Sequence, residues 1–191
     1  MYHIKKDKRS IESSNMIYNG LKSLMNQKNF EDIKVTEIVK EAQVGRATFY
    51  RTFDAPIDVL RYVSDRTFRG LLEHLLAYHK DTPVQRSSDF LMTFLHYFND
   101  HSEIVELLIS AGRQDVLNDS FTILFENMYS SYAKITESPE VSWKYFIAIR
   151  SGITINILVQ WIKDGKQIPP EKLGEIIYKQ MSMAYSVNDL L

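Results

Sequence analysis

Between Val35 and Phe53 the chain reads VTEIVKEAQVGRATFYRTF, and the side chains from position 46 onward are of kinds that meet nucleic acid. The Arg46 guanidinium can present its planar fork to guanine O6 and N7, and the Ala47 methyl can approach a thymine methyl. Thr48, Tyr50 and Thr52 offer hydroxyls to phosphate oxygens, contacts that fix register without reading bases, and Arg51 adds a cation to the same set. Thr36, earlier in the stretch, can cap a helix or touch DNA. Taken singly, each arginine is equally an ordinary solvated charge and Tyr50 a surface aromatic. Taken together at this spacing, they suit a helix that enters the DNA major groove.

Two short helices around a tight turn must hold these groups. Ile38, Val39, Ala42 and Val44 fall at helical spacing and then across the turn, so the two helices can share one small core. Ala42 is small enough for close helix approach. Phe49 and Phe53 lie four apart and point back into that core, which leaves Arg46, Ala47, Thr48, Tyr50, Arg51 and Thr52 largely outside it.

The pattern E-I-V-x-E-A-x-V-x-R-A-T-F-Y-R-x-F from Glu37 to Phe53 closely resembles the DNA-binding motif of the tetracycline-repressor (TetR) type of bacterial transcription regulators. The resemblance covers about residues 8–70 at motif level and continues beyond only as a pattern of helices. It implies an all-α homodimer of about nine helices. An N-terminal three-helix, helix-turn-helix DNA-binding domain would span 8–54, with a fourth helix over 56–79 joining it to a C-terminal effector-binding and dimerisation domain over 55–191. The chain departs from the family pattern in five places. Gln43 stands where the turn usually has Gly, and Gly45 stands where Ser or Thr often starts the recognition helix, so the turn takes its glycine elsewhere and Gly45 is an acceptable cap. Lys34 replaces a frequent Thr, and Pro56 replaces a frequent phosphate-binding Lys. Asn29 stands where a helix-ending Gly is common, as the usual second choice for a left-handed cap.

The whole chain has 191 residues, 45% apolar content and no cysteine. That is enough for a real core, and it excludes disulfides, thiol catalysis and thiolate metal sites, in agreement with a cytoplasmic location. The start, MYHIKKDKRS, lacks the apolar run of a secretory signal. No stretch reads as a membrane span, because the most apolar run, 145–162, is interrupted by Arg150, Asn156 and Gln160. Formal net charge is −1, yet through Arg69 there are 13 Lys and Arg against 9 Asp and Glu, and the remainder carries a balance of −5. A basic head and an acidic body fit a DNA-facing end. The lead-in Lys5, Lys6, Lys8 and Arg9 is read as a solvated terminus.

Helix patterns fill the rest. Ile11, Ile17, Tyr18, Leu21, Leu24 and Met25 stripe the first helix, and Asp54 with Pro56 start the fourth. Beyond position 80 come helices opened near Pro83, Ser102, Gln114, Pro139 and Pro170, with no convincing strand. The helix from Pro139 to Asp164 is apolar on two sides. Pairing it and the last helix with symmetry mates would bury Ile149, Gly152, Ile153, Leu173, Ile177 and Met181 in a four-helix interface; a monomer whose interior takes both faces is the alternative. An effector pocket between body helices would be lined by Phe90, Phe94, Phe98, Phe121, Phe125, Tyr129 and Phe146, with Arg150 as a polar anchor. Each of these aromatics singly fits a helical core as well. Arg150 needs a partner in either case, and a structural carboxylate is favoured over an anionic effector.

Enzyme signatures are missing. There is no Glu-x-x-His, no Gly-x-Ser-x-Gly and no Gly-x-x-x-x-Gly-Lys, and the paired histidines, His74 with His79 and His96 with His101, are five apart instead of four. No metal or other cofactor is expected. The sequence therefore points to a regulator that binds double-stranded DNA as a homodimer on a near-palindromic site, a repressor answering to a small-molecule effector. Two rivals remain: a DNA-binding regulator or coactivator whose body binds a protein partner, and, remotely, a helical enzyme carrying a helix-turn-helix segment.

Overall fold

The Asp7 carboxylate accepts the Ser10 amide at 2.9 Å and starts the first helix, α1 (Lys8–Met25). The computed structural model describes residues 1–4, 7–81, 87–132 and 140–182, the side chains of 78–81, 87–90, 128–132, 140–143, 146, 181 and 182 excepted. A 3-10 turn over Phe30–Asp32 leads to α2 (Val35–Glu41) and α3 (Arg46–Thr52). There follow α4 (Pro56–Asp81), α5 (Ser87–Asp100), α6 (Glu103–Ser110), α7 (Gln114–Tyr132), α8 (Glu140–Lys163) and α9 (Pro170–Ser182). The described residues are all-helical apart from one isolated bridge between Tyr2 and Phe53.

α1 packs on α2, α3 and α4. Ile17, Tyr18 and Leu21 are buried, whereas Ile11, expected in the same stripe, is 40% exposed one turn too early to reach the core. Gly20 lets α1 and α2 touch, since a Cβ there would sit 2.9 Å from the Ala42 nitrogen and 3.0 Å from its Cβ. Asn29 is not left-handed, because α1 ends at Asn26 with φ −73° and Asn29 is extended.

In the turn between α2 and α3, Gly45 caps α3 as expected, but it is not the left-handed residue. Gln43 itself takes the left-handed conformation, at φ +53°, while Gly45 has φ −75° and caps α3. A non-glycine residue in that region costs about 1–2 kcal/mol, against roughly 0.5–1 kcal/mol for the extra freedom a glycine loses on folding. Gln43→Gly is therefore expected to stabilise the protein by about 0.5 kcal/mol, a rise of roughly 1–2 °C in thermal midpoint. A lower midpoint in thermal denaturation contradicts this.

α4 runs from the head into the body and packs on α5, α6 and α7; α7 and α6 pack on α8, and α5 packs on α9. A second tie joins head to body at Glu103, the first residue of α6. Its carboxylate accepts the Tyr18 hydroxyl at 2.5 Å and pairs with Lys22, both on α1. Lys22, then Tyr18, hold the Glu103 carboxyl below the usual carboxylate range. Because the folded value is the lower one, the stabilisation is present above the ordinary value of 4.5 and is lost as pH falls through the folded value. Glu103→Gln is expected to lower the thermal midpoint at pH 7 and to converge on the wild type below pH 4.5; a gap independent of pH contradicts it.

Candidate nucleic-acid interface

α3 is seven residues long, and its inward face is settled by Phe49 and Phe53. Both rings are fully buried, with centroids 5.9 Å apart. Burial of two phenylalanines drives this face inward, and it fixes what remains outside. Arg46, Ala47 and Arg51 are exposed, Thr48 is half-buried, and Tyr50 is 50% exposed with its ring edge-on to Phe49 at 5.5 Å. A short helix thus presents two guanidinium groups, a phenol, a methyl and a hydroxyl over a sealed support, the combination that base edges and phosphates can both accept.

Thr52 does not belong to that set. It is only 3% exposed, and its hydroxyl donates to the Thr48 carbonyl at 2.9 Å, one turn back along the same helix. A hydroxyl satisfied by its own helix in this way has no need of solvent or phosphate. Thr36 is exposed on α2 but caps nothing. The Lys34 amide at the start of α2 donates to the Glu37 carboxylate at 2.9 Å, and the Lys28 ammonium grips the same carboxylate at 2.6 Å and 2.7 Å. Lys28 is the main reason the Glu37 carboxyl titrates lower than usual.

Of the basic lead-in, Lys8 and Arg9 are exposed and Lys5 and Lys6 lie outside the described residues; the segment before them makes contacts that no sequence feature marked. Met1–Ile4 lies against the far end of α3: the His3 amide donates to the Thr52 carbonyl at 2.8 Å, and the Asp54 amide donates to the Met1 carbonyl at 3.1 Å. Tyr2 and Ile4 both pack on the core.

In the body, the residues expected to line an effector pocket fill it instead. Phe94, Phe98 and Phe121 are fully buried and Phe125 nearly so. Phe68 joins them, at 5.4 Å from Phe98 and 5.0 Å from Phe121, and Phe94 lies 4.9 Å from Phe98. Tilted rings at these separations occupy the space between α4, α5 and α7. The side chains of Phe90, Tyr129 and Phe146 lie outside the described residues, and Arg150 is half-buried on α8. A groove of about 740 Å³ lies between α8 and α9, lined by Ile153, Ile157, Trp161, Leu173 and Ile177 with polar Gln160 and Asp164. The Trp161 indole donates to the Ile168 carbonyl at 2.7 Å and fixes the turn between the two helices.

The residues expected at a dimer interface divide. On α8, Ile149 is 60% exposed, Ile153 40% exposed and Gly152 half-buried, in line with Tyr145 at 69%. On α9, Leu173 and Ile177 are buried within the chain because they turn toward the groove floor, whereas Ile176 and Tyr178 are the exposed apolar residues; the Met181 side chain lies outside the described residues. Among the described residues no group of three or more His, Asp or Glu could hold a metal ion, and no helix is long and apolar enough to cross a membrane.

Comparison with known proteins bears on this arrangement. A TetR-type family model described as a transcriptional regulator C-terminal region matches residues 85–182. No curated protein matches the sequence. Among solved structures, Lin0861 from Listeria innocua superposes with a TM-score of 0.76 at 16% identity, covering 94% of each chain. A TetR transcriptional regulator from Streptococcus agalactiae 2603V gives 0.59 at 20% identity, covering 94% of this chain and 98% of its own. The multidrug binding protein EbrR, complexed with imidazole, gives 0.56 at 16% identity over 92% of this chain and 98% of its own. At these identities the likeness is one of fold.

Proposed function

We propose, because this chain belongs to the TetR family of transcriptional regulators, that it is a cytoplasmic homodimeric repressor whose α3 helices read a near-palindromic operator. The carrying observation is the outer face of α3, with Arg46, Ala47, Thr48, Tyr50 and Arg51 accessible over the buried Phe49 and Phe53. Thr36, exposed on α2, joins that set. In this reading residues 8–54 form the reading head and 55–191 the body that holds two heads at a fixed distance. The pair forms by burying the α8 face of Tyr145, Ile149 and Ile153, with Gly152 allowing close approach and Ile176 and Tyr178 of α9 alongside. Leu173 and Ile177 support that contact from beneath, and Met181 extends the same helix.

Two α3 helices must fall roughly 34–36 Å apart to occupy successive major grooves. Anything that binds the body and prefers a different separation shifts the equilibrium by its preference between the two states, and no more. The signal is carried by α4, which runs through both parts. A small apolar or amphipathic ligand is one source of such a preference, in keeping with a structural neighbour described as a multidrug binding protein. A second reading, in which a protein partner acts on the body, is favoured by the tight packing of Phe94, Phe98 and Phe121 where a pocket was expected. Apolar compounds that move the DNA affinity support the first source; a panel that leaves it unmoved supports the second.

Arg46→Ala tests base reading. The loss is expected to be about 1–3 kcal/mol on the preferred sequence, with a much smaller loss on random DNA. Tyr50→Phe, which deletes a phosphate contact, weakens both about equally. Equal losses for Arg46→Ala on the two DNAs, measured at one fixed salt concentration, reject its base-reading role.

A further inference from the structure

We propose that Met1–Ile4 is a strap that sets the position of α3 against the body, with Tyr2 as the positioning residue that ties the strap to α4 and, through Asp65, to α7. The inference rests on the reading of α3 as the DNA-reading helix. Two backbone bonds, from the His3 amide to the Thr52 carbonyl and from the Asp54 amide to the Met1 carbonyl, hold the strap to the C-terminal end of α3. The last carbonyls of a helix have no partner within it, so a donor there closes an end that would otherwise fray. At seven residues α3 has too few turns to hold its own shape; its angle is set by what it packs against.

Tyr2 carries the strap inward. Its ring meets Tyr62 of α4 edge-on at 5.4 Å, and Tyr62 in turn lies 6.0 Å from Phe53. The Tyr2 hydroxyl donates to one oxygen of Asp65 at 2.7 Å. The other oxygen of Asp65 accepts from the Ser120 hydroxyl of α7 at 3.1 Å, and Ser120 is in turn bonded to Ser64 of α4 at 2.8 Å in the interior. One hydrogen-bonded run therefore leads from α7, across α4, to the strap that abuts the end of α3. Burial, and then the bond to Asp65, push the Tyr2 hydroxyl up to about 12, so it stays a donor throughout the neutral range. A shift of α7 against α4 thus reaches the end of α3 through Asp65 and Tyr2.

The test uses the full chain with Tyr2→Phe, Tyr2→Ala and Ser120→Ala. Two readouts are taken: affinity for a duplex that the wild-type protein has selected from random sequence, and amide hydrogen exchange in the free protein. Tyr2→Phe, which removes one hydrogen bond, is expected to weaken DNA binding roughly two- to tenfold, and Tyr2→Ala further. Exchange should quicken at His3 and Asp54 while the amides of α1 and α2 keep their wild-type rates. Ser120→Ala combined with Tyr2→Phe should cost less than the product of the two separate losses, because both act through Asp65. DNA affinities within twofold of wild type for both Tyr2 variants overturn the proposal. So does faster exchange spread evenly through α1, α2 and α3, the mark of a general stabilising contact. Independent, multiplicative losses for Tyr2→Phe and Ser120→Ala remove α7 from the run. The exchange measurement needs no DNA, so it decides the strap even if the wild-type protein selects no sequence.

Discussion

Phe49→Ala is expected to cost the protein about 3–5 kcal/mol, the usual range for deleting a fully buried phenylalanine, and to abolish DNA binding with it. Phe49 has no exposed surface, it touches Phe53 and Tyr50, and it lies in the middle of α3. The cavity it leaves falls in a three-helix head, two of whose helices, α2 and α3, have only seven residues each. Such helices are held by tertiary packing, not by their own hydrogen bonds. A loss of that size is a large share of the roughly 5–15 kcal/mol that separates folded from unfolded domains. Tyr50→Ala, one position along and on the outer face, is expected to stay within about 0.5 kcal/mol of wild type. Denaturant unfolding of the pair measures both. Similar destabilisation for the two variants shows that the inward and outward faces of α3 are misassigned.

Ile149→Glu together with Ile153→Glu is expected to leave the single chain folded and to separate the two copies. Both side chains are substantially exposed in the chain by itself, at 60% and 40%, so a carboxylate in their place meets water there and costs little. In a symmetric pair the same two positions face their own copies, and four added carboxylates would be buried beside one another. Sedimentation should show monomers for the double variant and a pair for the wild type. Operator affinity should fall by at least about a hundredfold, since linked half-site binding ordinarily contributes a factor on the order of 100 to 10,000. A double variant that still pairs and still binds with wild-type affinity removes α8 from the interface.

The head was readable in the sequence because each feature there has a side-chain type of its own. Ile38, Val39, Phe49 and Phe53 mark the inward face by spacing, and Arg46 and Tyr50 mark the outer one by chemistry. Thr52 escaped that logic. A threonine looks polar in a sequence, yet its hydroxyl can be satisfied by the carbonyl four residues back and then buried. Gln43 escaped for a different reason: a turn needs a left-handed residue, and packing of the two helices around it can impose that conformation on a side chain that does not favour it. In the body, aromatic content could not separate a lined pocket from a filled core, because Phe94, Phe98 and Phe121 suit either until their mutual distances are known. On α8 the outward residues Ile149 and Ile153 were legible from their spacing; on α9 Leu173 and Ile177 are buried within the chain and Ile176 and Tyr178 are exposed, a difference that helical spacing alone does not separate, and the Met181 side chain lies outside the described residues. The Met1–Ile4 strap was hidden because four residues are too few for a periodic signal.

The most direct test of the central claim is selection of bound duplexes from random DNA by the full-length protein, followed by alignment of the enriched sequences. Two copies of α3 held by a symmetric body predict a near-palindrome whose half-sites are centred about one helical turn, roughly 10 base pairs, apart. In that case Arg46→Ala should blur the enriched motif at symmetric positions in both halves. Recovery of unenriched sequence, or of a single half-site without its mirror, contradicts the account.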